Sequence, residues 1–159
     1  MGPQPLSLLV RAVGGGCAAI LISLVPKYEG TVLHSYWDPV PIVTACTGHT
    51  DPSLRIGQKF TKEECDEMLA ADLVTAADGV RGCVSLPLGT NMLASFTSFA
   101  FNAGVPAFCG STMARKLNSG DYAGACAELS KWVMANGKKL AGLVRRREAE
   151  REICERDLL

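Results

Sequence analysis

Residues 6–25 read LSLLVRAVGGGCAAILISLV, and this run constrains the chain more than any other stretch. Apart from Arg11, two serines and three glycines, every residue in it is apolar. Twenty residues suffice to cross a hydrocarbon core of about 30 Å as a helix. The composition makes that span marginal. Gly14, Gly15 and Gly16 cost about 1 kcal/mol each against alanine in a helix. Arg11 would cost about 3 kcal/mol at the bilayer centre, although near a span's end its side chain snorkels to the interface. Four readings stay open: a cleaved signal peptide, a permanent anchor, an uncleaved export segment able to leave the bilayer, and a buried core helix. The Leu24-Val25-Pro26-Lys27 junction lacks the small-x-small pattern of a cleavage site. The charge flanks, Arg11 and Lys27, are weak, and the orientation they leave is export of the long C-terminal part.

The remainder fits one domain. The chain has 159 residues, 48% of them hydrophobic and 20% charged, which excludes wholesale disorder. Sixteen basic residues balance sixteen acidic ones, so the basic excess of a nucleic-acid binder is missing. Seven cysteines are present: Cys17 in the apolar run, and Cys46, Cys65, Cys83, Cys109, Cys126 and Cys154 beyond it. No C-x-x-C pair occurs, which argues against a zinc ribbon; no metal or cofactor is expected. Six scattered cysteines in an exported domain point to three disulfides, the alternative being buried free thiols. About 15 connectivities are open to them.

Local signals follow along the chain. Residues 26–59 are rich in proline and turn residues, with a β-branched strand signal at Ile42–Thr47. Thr61-Lys62-Glu63-Glu64 is a capping box, and Cys65, Met68, Leu69, Leu73 and Val80 recur beyond it at helical spacing. The pattern predicts a helix over 62–80. Residues 89–103 are apolar on most sides, which predicts a central buried helix. Shorter helices are expected at 111–117 and 121–132, and a highly charged one at 139–155.

Glu29, Asp38 and Thr44 stand in the spacing Glu-x8-Asp-x5-Thr. Taken alone, two carboxylates and a threonine in a loop region are ordinary. The chemistry they support is specific: glycoside hydrolysis needs one carboxylic acid to protonate the leaving oxygen and a second carboxylate to activate water or attack carbon. At these residues the chain resembles the phage-type lysozymes, glycoside hydrolase family 24. The resemblance continues through Thr44-Ala45-Cys46-Thr47-Gly48-His49, Phe60–Glu64, Ser98–Gly104, Arg115–Tyr122 and Gly142–Arg147, covering residues 27–155 in order. The glycine-rich apolar run resembles the signal-arrest-release segments of some endolysins in that family. Some such members carry a catalytic cysteine where this chain has Asp38, so direct blockade of the nucleophile by a thiol does not transfer.

The resemblance implies an α+β, mainly helical fold of two lobes, with a small β-containing N-terminal lobe and a helical C-terminal lobe. Residues 1–26 would be the signal-arrest-release segment and 27–159 the catalytic domain. It implies hydrolysis of the β-1,4 bonds between N-acetylmuramic acid and N-acetylglucosamine in peptidoglycan, leading to host lysis. Glu29 would be the general acid, Asp38 would activate water, and Thr44 would hold that water in an inverting reaction. His49 would pair with Asp72 in a structural role. Arg145 and Arg147 would pair with Glu29, or else form a solvated helix face. Phe101 and Asn102 would fall at the cleft floor. The family's fold suggests Cys46–Cys65, Cys83–Cys154 and Cys109–Cys126 as disulfides. Cys17 would be either a thiol that exchanges with a domain disulfide or a small apolar residue. The partners expected are peptidoglycan strands and, before release, the bacterial inner membrane. A monomer acting in the periplasm, without nucleic acid, completes the expectation. Two rival readings are a membrane-tethered, disulfide-stapled wall-binding module and a lytic transglycosylase.

Overall fold

The structure, a computed structural model, describes residues 5–29, 32–37, 43–47, 49, 50 and 53–159. The apolar run forms two helices, α1 (Pro5–Val13) and α2 (Gly15–Glu29). Gly14 separates them with a φ of +87°, a left-handed conformation that glycine adopts without a Cβ penalty. At 1.5 Å per residue the helices are about 14 and 22 Å long. Both fall short of the bilayer core, and among the described residues no helix is long and apolar enough to cross a membrane. The run is instead built into the core. Leu9, Ala18, Leu21 and Val25 are fully buried, while Leu6, Leu8, Val10 and Ile22 are exposed. α1 packs on α3 (Lys62–Cys83) and α2 on α4 (Thr90–Ala103). Arg81 of α3 donates to the Ala12 carbonyl in the last turn of α1, where helix carbonyls lack internal partners. Of the four readings of the run, the buried core helix is the one this state adopts. The boundary expected between residues 26 and 27 falls inside α2.

The small lobe is an antiparallel sheet, β1 (Val32–Trp37), β2 (Val43–Cys46) and β3 (His49–Thr50), in that order. The capping box at Thr61 starts α3, with the Thr61 side chain accepting from the Glu64 amide and Glu64 reaching back. The helix runs 22 residues, about 33 Å, from the small lobe into the helical one. Its buried face, Leu69, Leu73, Ala76, Ala77 and Val80, joins the main core.

α4 lies at the centre of that core, with residues Met92 to Ala100 all buried. Phe96 and Phe99 pack against Phe108 of α5 (Val105–Cys109), with ring centroids 5.7 and 6.3 Å apart. Gly89, which precedes α4, has no side chain to cap it. Asp157, near the C-terminus, takes that role by accepting from the Met92 amide and the Asn91 side chain, each at 2.8 Å. α6 (Thr112–Asn118) and α7 (Tyr122–Glu128) are capped by Ser111 and Asp121. The helix expected over 121–132 is shorter: it ends at Glu128 and tightens into a 3-10 turn at Leu129–Lys131. That turn brings Trp132 edge-on to Phe99 at 5.1 Å. A hairpin follows, β4 (Met134–Ala135) and β5 (Lys138–Lys139), its turn made by Asn136 and Gly137, both at positive φ. The charged helix is α8 (Ala141–Glu155).

Three disulfides join Cys46 to Cys65, Cys83 to Cys109 and Cys126 to Cys154. The last two correct the expected Cys83–Cys154 and Cys109–Cys126. Residues 105–109 form a helix that packs on α3 and brings Cys109 to the C-terminal turn where Cys83 stands. α7 packs on α8 and sets Cys126 against Cys154. Cys17 is the free cysteine among the described residues, buried in α2.

Candidate active site

Glu29 is the last residue of α2, so the helix that carries it is the one anchored in the core by Cys17, Leu21 and Val25. Its side chain borders a cavity of about 500 Å³ lined by Lys27, Tyr28, Asn102, Leu143, Arg145 and Arg146 among others. Arg146 donates to the Glu29 carboxylate and is itself only 3% exposed. Helical geometry explains why Arg146 takes this place. The buried positions of α8 are Arg146, Arg147, Glu150 and Cys154, an i, i+1, i+4, i+8 stripe on one face. Arg145 lies off that stripe, exposed, and reaches the same cavity from its rim. The expected pairing of Glu29 with Arg145 and Arg147 is therefore corrected to Arg146.

Behind Arg146 the polar groups interlock. Its second terminal nitrogen donates to the Ser98 carbonyl at 3.1 Å and the Ser98 hydroxyl at 3.3 Å. The Ser98 hydroxyl donates to Glu150 Oε2 at 2.7 Å, and that oxygen lies 3.5 Å from Arg146 Nε. Arg147 donates to Glu150 Oε1, to Asn102 Oδ1 and, from Nε at 3.0 Å, to the Trp132 carbonyl. Its guanidinium also stands 4.7 Å above the Phe99 ring, a cation–π contact. Burial pulls the Arg147 guanidinium down from its ordinary range, and the Glu150 carboxylate opposes that. Two guanidiniums and two carboxylates thus balance beside the cavity, which is how buried charge is tolerated.

Of the other expected catalytic residues, Thr44 lies in the sheet. Its register sets Tyr36 opposite Thr44 and Trp37 opposite Val43. The backbone of Thr44 on β2 therefore lies one register step from Trp37, the residue preceding Asp38. Asp38 itself lies outside the described residues, as does the side chain of Thr44. His49 Nδ1 lies 2.7 Å from Asp72 Oδ2, and together with Cys46–Cys65 this contact fastens the sheet to α3. Phe101 and Asn102 separate: Asn102 lines the Glu29 cavity, whereas Phe101 lines a second one of about 220 Å³ with Thr50 and Asp72. Burial pushes the Cys17 thiol up to about 11 although Arg81 draws it down. In this folded state its reactive thiolate is scarce.

The phage lysozyme family profile matches residues 26–150. The chain belongs to the phage lysozyme family. It is an endolysin, a muramidase that hydrolyses peptidoglycan. The SAR-endolysin of Enterobacteria phage P21 is 37% identical over 160 residues, 97% of each chain. A mutant of P22 lysozyme is 31% identical, with a TM-score of 0.72 over 83% of this chain and 92% of that one. The active form of the P1 phage endolysin Lyz, at 21% identity, shares the fold with a TM-score of 0.81 over 99% of this chain and 96% of that one.

Three residues of this phage lysozyme's site escape a reading of the sequence: Arg146, Ser98 and Glu150. Arg146 is hidden within three consecutive arginines. The signal that could have found the network is the phase of α8, where Arg146 and Glu150 are four residues apart and Arg147 and Glu150 three. Ser98, a small polar residue in the middle of an apolar helix, marks where that charge docks.

Proposed function

We propose that Glu29 is the general acid of the muramidase, that Asp38 activates the attacking water, and that Thr44 holds that water from its other side. The observation that carries the reading is the fixing of the Glu29 carboxylate at the edge of an open cavity by a buried arginine. The rigid mounting of Glu29 on α2 supports it, because a general acid must stand within hydrogen-bond reach of its leaving oxygen. With water between Asp38 and the sugar, the two carboxyl groups need about 6.5–9.5 Å and the reaction inverts. From a β-linked glycan, NMR should find the α-anomer in the first product; a β-anomer would make Asp38 a nucleophile. Glu29→Gln keeps the shape of the acid and cannot give a proton. Turbidity loss of purified peptidoglycan should fall by several orders of magnitude in that variant, with the melting temperature little changed. Near-normal lysis would refute the assignment.

We also infer that the apolar run serves two environments. Exported into the host inner membrane it spans as a tether, and on release into the periplasm it bends at Gly14 and folds as α1 and α2. Supporting this are the SAR-endolysin relatives and a run that is apolar enough to insert, yet has one face buried and the other exposed. Cell fractionation, with lytic activity assayed in the membrane and periplasmic pools, tests it; equal activity per molecule in both pools would refute it.

A further inference from the structure

We propose that Glu150 is a positioning residue for the acid, a buried carboxylate that shares Arg146 with Glu29 and so limits the positive charge that bears on Glu29. The inference rests on the reading of Glu29 as the general acid. Glu150 is fully buried. A buried carboxylate costs several kcal/mol unless paired, and Glu150 is paired through both oxygens. Its three polar contacts all lead to the site. Oε1 accepts from Arg147, and Oε2 accepts from Ser98 and stands 3.5 Å from Arg146 Nε, a buried donor with no hydrogen-bond partner. Arg147 in turn holds Asn102 on the cavity wall.

Among the described residues, the other charges facing Glu29 are cationic. Arg146 bonds to it from α8, Arg145 lines the same cavity from α8, and Lys27 lines it from α2 beside Tyr28. From α4 come only the neutral Asn102 and, behind Arg146, Ser98. Arg147 adds a further cation behind them. Among the described residues, Glu150 is the one carboxylate besides Glu29 that is paired with Arg146 or Arg147. Cations favour a neighbouring carboxylate in its anionic form, whereas a general acid must reach the substrate carrying a proton. Glu150 offsets one of these cations at the point where it touches the acid.

Two substitutions move that balance in opposite senses. Glu150→Gln keeps the shape and removes the negative charge, leaving Arg146 to Glu29 alone. The alkaline limb of the pH–activity profile should move about one unit toward acid, with roughly tenfold lower turnover on the alkaline side and KM for peptidoglycan unchanged. Ser98→Ala removes the hydroxyl that occupies Glu150 Oε2, so that oxygen turns to Arg146 Nε and draws the guanidinium from Glu29. The limb should then move toward higher pH. Melting curves establish that each variant is folded; where Glu150→Gln does not fold, the direction of the Ser98→Ala shift decides. A limb that stays in place in the folded variants, or that moves the same way in both, overturns the proposal. Glu29→Gln, measured alongside, separates the two levels. Activity retained in it removes the acid assignment, whereas activity lost in it beside an unmoved limb removes only the role of Glu150.

Discussion

Leu21 and Leu8 are equivalent as lipid-facing groups and unequal as core. Both lie in the apolar run, and replacing either by alanine removes the same hydrocarbon from a membrane span. In the folded chain Leu21 is 0% exposed within the main core, whereas Leu8 is 43% exposed on the outer face of α1. A buried Leu→Ala change loses transfer energy and leaves a cavity, together about 3 kcal/mol. An exposed one costs about 0.5 kcal/mol or less. In a chain of this size each kcal/mol lowers the melting temperature by about 2–4 °C. Leu21→Ala should therefore melt about 6–12 °C below the parent and Leu8→Ala within about 2 °C of it. The assay is thermal unfolding of the soluble, active fraction followed by circular dichroism. Equal shifts would refute the reasoning, because they would mean that α2 contributes no more to the folded core than α1's solvent face. Glu29 lies two helical turns beyond Leu21 on the same helix, so the temperature at which lytic activity is lost should follow the melting curve of each variant.

Other perturbations read other parts of the structure. Asp157→Ala removes the cap on α4 and should cost about 1 kcal/mol, visible in denaturant unfolding; Asp157→Asn should recover part of it. Glu128 is held below the usual carboxylate range first by the Lys131 hydrogen bond and then by Lys116. Its contribution to stability is therefore present above its ordinary pKa of about 4.5 and fades as pH falls through its lower folded value. Glu128→Gln and the parent should thus differ in stability at neutral pH and converge in strong acid. Gly14→Ala should retard release from the membrane more than Gly15→Ala. Both open positions accept a methyl group and both strengthen a straight helix, but only Gly14 needs a positive φ in the folded form. Fractionation over time should separate the two variants.

Much of the fold was legible because its signals are local. The Thr61 capping box, the apolar stripe of α3 and the all-apolar character of α4 each specify an element without knowledge of its neighbours. The disulfides were not, because pairing depends on which helices meet. The five residues of α5 read as a break after Gly104 and Pro106, and once they are a helix Cys109 stands beside Cys83 rather than Cys126. The Asn136-Gly137 pair is a strong hairpin signal in hindsight, obscured by an extrapolated helix through Trp132. For the apolar run, hydropathy cannot discriminate a lipid-facing helix from a core helix, since both solvents reward the same side chains. What discriminates is the kink. A residue at φ +87° ends one helix at nine residues and starts another, and only glycine occupies that position without strain.

The surroundings of Glu29 were the least legible part for a related reason. Composition assigns a segment such as Arg145–Glu152 to solvent, and that is right for Arg145, Glu148 and Glu152, which are exposed. The positions that matter are those whose phase carries them inward, Arg146, Arg147 and Glu150, and these are charged because the helix they meet is not purely apolar. Ser98 and Asn102 on α4 offer polar atoms one turn apart, facing the stripe of α8. A hydrophobic α8 would leave Ser98 and Asn102 unsatisfied in the core, and arginines without Glu150 would leave two guanidiniums with Glu29 as their one carboxylate partner. The network therefore has to change together or not at all. That is why the partners of Glu29 are found by following hydrogen bonds backward from it rather than by scanning the chain for acids and bases at catalytic spacing.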